Sequence, residues 1–241
     1  LVTYLSKKDI ELFVSIYEDV LKNKNDLKVI LQTYFGDVRD CYKEIVNLNF
    51  DAVGLDFIEG KKTLELLKKF GFPKEKVLFA GVVNGKNIWK CHYKKVFKLI
   101  NDIKAYAENI VINTSCSLLH VPYTLENETK LDKDVIKYFA FAKEKLKELN
   151  EIGNLCESKD LEKEKAYIEN VELFEAERCF ENKEVQNAVA ELKDSDFVRE
   201  MARCDRQKLQ REKLNIPILP TTTIASFPQT AAVKHTRALY R

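Results

Sequence analysis

The chain has 241 residues, and its 40 Lys and Arg against 38 Asp and Glu leave a net charge of +2, which favours neither a nucleic-acid nor a membrane partner. With 45% hydrophobic and 32% charged residues the chain can bury a core, which excludes a disordered or collagen-like protein. No apolar run approaches the roughly 18 residues of a membrane span, and no signal peptide is visible. The six cysteines lack CxxC spacing, which disfavours a disulfide framework and a zinc ribbon and favours the cytoplasm.

The first predicted element is an amphipathic helix that begins after Ser6. Ser6 is placed as the N-cap, and Asp9 stands where the partner residue of a capping box belongs. Apolar residues recur at helical spacing and predict one buried stripe. The stripe consists of Ile10, Phe13, Val14, Tyr17, Val20 and Leu21.

Four strand-then-helix units follow. The predicted strands are 27–35, 50–60, 77–85 and 108–120, and a long helix at 132–150 follows the last of them. Strand starts about 24 to 32 residues apart leave room for a crossover helix and two short loops, so we predict a parallel α/β sheet. The nearly continuous apolar strands predict that both sheet faces are covered, as in a barrel or a doubly wound sheet. Four such units make half of an eight-stranded barrel, so we expect a partial (β/α)8 barrel.

Nucleotide-binding signatures are absent from this part of the sequence. No GxGxxG follows the first predicted strand, and no GxxxxGK[ST] occurs. This absence disfavours a fold that cradles nucleotide phosphates.

The composition changes after Asn150. Residues 157–214 carry mixed charge at amphipathic spacing, which predicts a helical connector at 151–218. The basic stretch at 203–213 is interpreted as a solvated helix face, with RNA binding as the alternative. The β-branched run 221–227 then predicts the first strand of a further domain that begins at residue 219.

Chemistry in a parallel barrel lies on the loops that follow the carboxyl ends of the strands. This rule selects six candidates: Asp56, Glu59, Asn84, Trp89, Cys116 and His120. Cys116 and His120 could form a nucleophile–base couple or bind zinc, but we favour a core cysteine and a loop histidine because no second Cys or His is placed nearby. Asp56 and Glu59 could be an acid–base pair, but we favour an N-cap and a first-turn charge. For Trp89 the simpler alternative is that it anchors its loop to the rim.

Four segments resemble cobalamin-independent methionine synthase, the 5-methyltetrahydropteroyltriglutamate–homocysteine S-methyltransferase family. They are AGVVNGKNIWK (80–90), SCSLLHVPY (115–123), FAFAKEKLKEL (139–149) and LPTTTIASFPQT (219–230). The resemblance implies two face-to-face barrels joined by a helical connector, with the active site between them. Residues 1–150 would be the later half of the N-terminal barrel, 151–218 the connector and 219–241 the start of the C-terminal catalytic barrel. We therefore expect a fragment whose partner is the missing remainder of the same polypeptide.

The resemblance also implies the chemistry. The family moves the methyl group of 5-methyltetrahydropteroyltriglutamate to homocysteine without cobalamin, and zinc holds the sulfur as a thiolate. The zinc ligands and catalytic residues would follow Arg241, so we expect no metal site in this chain and no activity from it alone. The resemblance implies that the N-terminal barrel is a duplicate of the catalytic one. A zinc site in this copy would need His and Cys at positions 33 and 35, where Thr33 and Phe35 stand, so we again expect no metal here.

The family segment that holds the amino-acid part of homocysteine or methionine reads Ile224, Ala225 and Ser226 here. Ala225 stands where the family has Gly, which adds a Cβ close to the ligand.

An alternative hypothesis, from a different functional class, is that the chain is a noncatalytic binding or assembly module derived from the same barrel.

Overall fold

A computed structural model describes residues 5–176, 182–217, 219 and 229–240. Contacts along the chain divide it into two compact units, residues 1–177 and residues 178–241.

Helix α1 (Lys7–Lys22) begins as the sequence predicts. The Ser6 hydroxyl accepts the amide of Asp9 at 3.3 Å, and the Asp9 carboxylate accepts the amide of Ser6 at 2.9 Å, which completes the capping box. Phe13 packs against the core as expected. Val20, which was placed on the buried stripe, is instead 58% exposed because it lies at the margin of that stripe.

Four parallel strands form one sheet in the described part of the chain, in the order β1-β2-β3-β4. The strands are β1 (Ile30–Gln32), β2 (Ala52–Asp56), β3 (Val77–Val83) and β4 (Ile110–Thr114). The intervening helices are α2 (Tyr42–Asn47), α3 (Thr63–Phe70) and α4 (Tyr93–Lys104). The prediction of a parallel α/β fold is confirmed. The predicted strands are too long because apolar runs continue into loops, as at Tyr34 and Phe35, which follow the end of β1.

Helices cover one face of this sheet. Val53, Leu55 and Leu78 are at most 1% exposed and share a core with Ile45 of α2 and Leu67 of α3. Successive side chains of a strand point to opposite faces of the sheet, and paired residues of neighbouring strands point to the same face. The residues between these buried ones therefore point to the other face.

The other face is only partly covered. β2 is buried along its whole length, so the expectation of two covered faces holds there. On the outer strands it fails, because Ile30 is 48% and Val111 is 41% exposed.

The predicted helix at 132–150 is wrong as a single element. It is divided into α5 (Lys133–Ile136) and α6 (Ala142–Glu157). Between them, the amide of Lys90 donates to the carbonyl of Tyr138 at 2.8 Å, and the amide of Ala140 donates to the carbonyl of Ile88 at 2.7 Å. Residues 138–141 are all buried, which an amphipathic helix with one buried face does not allow.

The remaining described elements are helical. They are α7 (Lys165–Glu175), α8 (Lys183–Ala190), α9 (Arg203–Leu214) and α10 (Ala231–Leu239), with short 3-10 turns between some of them. The predicted strand 221–227 lies outside the described residues, and the domain boundaries at 150 and 218 stay predictions. None of the described helices has both the length and the apolar character that would let it cross a membrane.

Candidate functional site

The carboxyl edge of the sheet collects all six candidate residues. Asp56 ends β2 and is 1% exposed. One carboxylate oxygen accepts the amides of Ile58 at 2.8 Å and Glu59 at 2.9 Å, and the other accepts the amide of Gly36 at 3.0 Å. Asp56 therefore organises the loops after β1 and β2. It does not cap α3, which begins only at Thr63, because nearer loop amides take both of its oxygens.

Four side chains, one from each of the four strand-end loops, meet at this edge, and we call them the rim cluster: Phe35, Glu59, Lys86 and His120. The Lys86 ammonium lies 3.6 Å from the Glu59 carboxylate and 5.1 Å from the centre of the Phe35 ring. The His120 ring meets Phe35 edge-on, with centroids 5.1 Å apart. Glu59 and Lys86 are about half exposed, so the cluster presents charge and aromatic surface to solvent.

Cys116 and His120 do not form a couple. Cys116 is 3% exposed, and no hydrogen bond joins it to His120. Burial raises the pKa of the Cys116 thiol, which disfavours the thiolate that a nucleophile or a metal ligand requires. The preferred interpretation, a core cysteine and a loop histidine, agrees with this geometry.

The loop at 84–91, between β3 and α4, carries Asn84, Lys86 and Trp89. The Asn84 side chain accepts the amides of Lys86 at 2.8 Å and Asn87 at 3.0 Å, which shapes the first turn of the loop. Trp89 is 52% exposed, and its ring packs edge-on against Phe139 with centroids 5.0 Å apart. Trp89 thus anchors the loop and also leaves half of its surface open.

Two buried charged residues at this edge were missed by sequence reasoning. Lys145 is 0% and Glu148 is 5% exposed, although both lie on the helix α6. Burial lowers the pKa of Lys145 and raises the pKa of Glu148. Cys91 lies beside them, and burial raises its thiol pKa to about 12. The sequence carried no signal for this burial, because Lys and Glu three residues apart on a helix usually face water.

The side chains at this edge do not match the ligand set of a zinc site. Among the described residues no group of three or more His, Cys, Asp or Glu side chains could hold a metal ion. The Thr33 hydroxyl donates to the carbonyl of Gly54 at 2.7 Å, and Phe35 belongs to the rim cluster. These side chains do not fit a zinc site. Ile224, Ala225 and Ser226 lie outside the described residues, so their predicted role stays a prediction.

Comparisons with a family model and with curated proteins point to the same family. Residues 1–108 match the family described as the N-terminal domain of cobalamin-independent synthase. The chain is 53% identical over 232 residues to the 5-methyltetrahydropteroyltriglutamate–homocysteine methyltransferase of Lactococcus lactis subsp. lactis strain IL1403. The aligned residues are 96% of this chain and 30% of that relative. A Campylobacter jejuni relative of the same name, from serotype O:6 strain 81116, is 49% identical over 243 residues, covering 100% of the chain and 32% of the relative. The chain therefore spans about a third of the length of these curated relatives.

Proposed function

The chain belongs to the cobalamin-independent synthase family, and we propose that it is part of a methyltransferase that makes methionine. The methyl group would pass from 5-methyltetrahydropteroyltriglutamate to homocysteine without cobalamin. The observation that carries this proposal is the identity of 53% over 96% of the chain to a relative that bears this activity in its name.

The proposed architecture is half of a (β/α)8 barrel at 1–150, a helical connector at 151–218 and the start of a second barrel at 219–241. The strand order β1-β2-β3-β4 supports it, because each strand of a barrel pairs with its neighbour in sequence, whereas a doubly wound sheet reverses its order. The exposed Ile30 and Val111 also support it, since a closed barrel would turn that face inward.

The rim cluster is the proposed contribution of this chain to the ligand cleft. The methyl donor has a tetrahydropterin whose pyrimidinone ring is planar, and a tail rich in carboxylates. Lys86 offers a cation, and Phe35, His120 and Trp89 offer aromatic surface, which together suit an anionic ligand with a planar ring. We place the amino-acid part of homocysteine at Ile224, Ala225 and Ser226.

In the proposed reaction the homocysteine sulfur loses its proton and forms a bond to the methyl carbon, the bond between that carbon and N5 breaks, and N5 takes up a proton. We propose, as the family resemblance implies, that the reaction depends on zinc and that its ligands lie outside this chain. The 241 residues alone are accordingly proposed to be inactive. We place the protein in the cytoplasm because five cysteines of the described part are free thiols.

A chimera tests the proposal. The matching 232-residue segment of the Lactococcus lactis relative is replaced by this chain, and methionine formation is measured with and without a zinc chelator. We expect activity that the chelator abolishes, and no activity from the 241 residues alone.

A folded chimera without activity would contradict the proposal and favour the noncatalytic binding or assembly module. Methionine formation by the 241 residues alone would contradict the assignment of the catalytic groups to other residues.

A further inference from the structure

Helix α6 carries two charged side chains that water does not reach. Lys145 is 0% exposed, and Glu148, one turn further along the helix, is 5% exposed. Removing a charge from water costs several kcal/mol unless the charge finds partners, so the partners of this pair indicate what it does.

Those partners are backbone groups of the 84–91 loop. The Lys145 ammonium donates to the carbonyl of Trp89 at 2.9 Å and lies 3.5 Å from the side-chain oxygen of Asn87. The Glu148 carboxylate accepts the amide of Cys91 at 2.8 Å. The helix thus holds the loop on both sides of residue 90, once through a carbonyl and once through an amide.

The segment before α6 holds the same loop from another direction. Trp89 and Phe139 form an isolated antiparallel bridge, and their rings also pack together. With the backbone fixed in this way, the exposed half of the Trp89 ring is kept at the carboxyl edge, and the loop also carries Lys86 of the rim cluster. Apolar side chains at 145 and 148 could fill the space but could not bond to these backbone groups.

We propose that Lys145 and Glu148 are positioning residues, which hold the 84–91 loop so that Trp89 and Lys86 face the ligand. The ligand part of this inference rests on the proposed function, and the hold on the loop does not.

The chain contains one tryptophan, so Trp89 fluorescence reports directly on the loop. Lys145→Met keeps the length of the side chain and removes the ammonium. We expect its emission maximum to move to longer wavelength and its quenching by acrylamide to increase, with an unchanged far-UV circular dichroism spectrum. The matched control is Lys147→Met on the same helix, where the lysine is exposed and lies 3.6 Å from Glu151, and its emission should equal that of the wild type.

Glu148 provides an independent pair of variants in case Lys145→Met does not fold. Glu148→Gln keeps an oxygen that can accept the Cys91 amide, so its emission should stay close to that of the wild type. Glu148→Met removes the acceptor, and its emission should shift in the same direction as that of Lys145→Met. A purely structural role would lower the melting temperature of both Glu148 variants without this difference in native emission.

Binding of 5-methyltetrahydropteroyltriglutamate to the full 241-residue chain, measured by calorimetry, tests the ligand part. We expect Lys145→Met to weaken binding about tenfold, the factor that corresponds to 1.4 kcal/mol, and Lys147→Met to leave it unchanged.

Wild-type emission in folded Lys145→Met and Glu148→Met would overturn the proposal whatever the ligand result. A shifted emission together with a wild-type chain that does not bind the compound would support the hold on the loop and overturn its ligand role, whereas the proposed function is decided separately by the activity of the chimera.

Discussion

At the scale of single residues, two carboxylates of this chain accept hydrogen bonds from backbone amides. Asp56 accepts three loop amides at the carboxyl edge of the sheet. At the opposite edge Asp51 accepts one amide, that of Val29 at 2.8 Å, and lies 3.0 Å from the Lys24 ammonium and 3.2 Å from that of Lys28. These bonds favour the ionised carboxylate and hold the pKa of Asp51 well below its ordinary value.

Asp51 should therefore make the stability of the protein depend on acidity. Because its pKa is lower in the folded than in the unfolded chain, its contribution is complete above the ordinary value of about 4, begins to be lost as the pH falls below that value, and is gone only below the lower pKa of the folded chain. We expect Asp51→Asn to be less stable than the wild type at neutral pH, and we expect the difference to stay constant down to about pH 5 and then to shrink steadily as the pH falls toward about 2. Urea denaturation across this range measures the free energy of unfolding.

The control for this experiment is Asp26→Asn, which makes the same change of net charge at an exposed position nearby. A difference between the wild type and Asp51→Asn that stays constant with pH would contradict the prediction.

At the scale of elements, loops and helix boundaries depend on close contacts. The 84–91 loop lies so near the segment after β4 that a Cβ added at Gly85 would stand 2.4 Å from the carbonyl oxygen of Cys116. The same loop pairs with residues 138–140 and interrupts the predicted helix.

Gly85→Ala should destabilise the protein by about 1 to 3 kcal/mol, because the added methyl group meets the backbone rather than a flexible side chain. The matched variant is Gly153→Ala in α6, where the new Cβ would lie 3.9 Å from the Cδ1 atom of Ile112, an ordinary contact. Alanine is the better helix former, so this change should stabilise the protein by about 0.5 to 1 kcal/mol.

Chemical denaturation of both variants decides this prediction. Equal stability of Gly85→Ala and the wild type would show that the loop does not pack against Cys116 as described.

At the scale of the whole chain, the open face of the sheet is the feature that most affects association between chains. Ile30 and Val111 expose apolar surface on the two outer strands, each of which pairs with one strand in the described region. Strand edges and apolar surface of this kind favour association between chains.

We expect the 241-residue chain to associate with itself as its concentration rises, and Val111→Lys to shift it toward monomer because a charge on the open face opposes contact. Sedimentation velocity measures the distribution. Leu146→Lys places the same charge at an exposed position of α6 and should leave the association unchanged. A monodisperse wild-type monomer with a cooperative thermal transition would contradict this expectation.

The sequence by itself determined the order of strands and helices, the parallel sheet and the start of α1 at Ser6. These features follow from hydrophobic periodicity and capping, which depend on residues close together in the chain. The segments 80–90, 115–123, 139–149 and 219–230 were also sufficient to identify the family.

Only the tertiary structure decided that Asp56 binds loop amides, that His120 packs on Phe35 without a hydrogen bond to Cys116, and that Lys145 is buried. It also decided that the helix predicted at 132–150 is broken. Each of these outcomes depends on groups that are distant in sequence and meet only after the strands have paired. Local propensity and residue spacing do not describe contacts between residues that are distant in sequence, so these contacts are visible only in the folded chain.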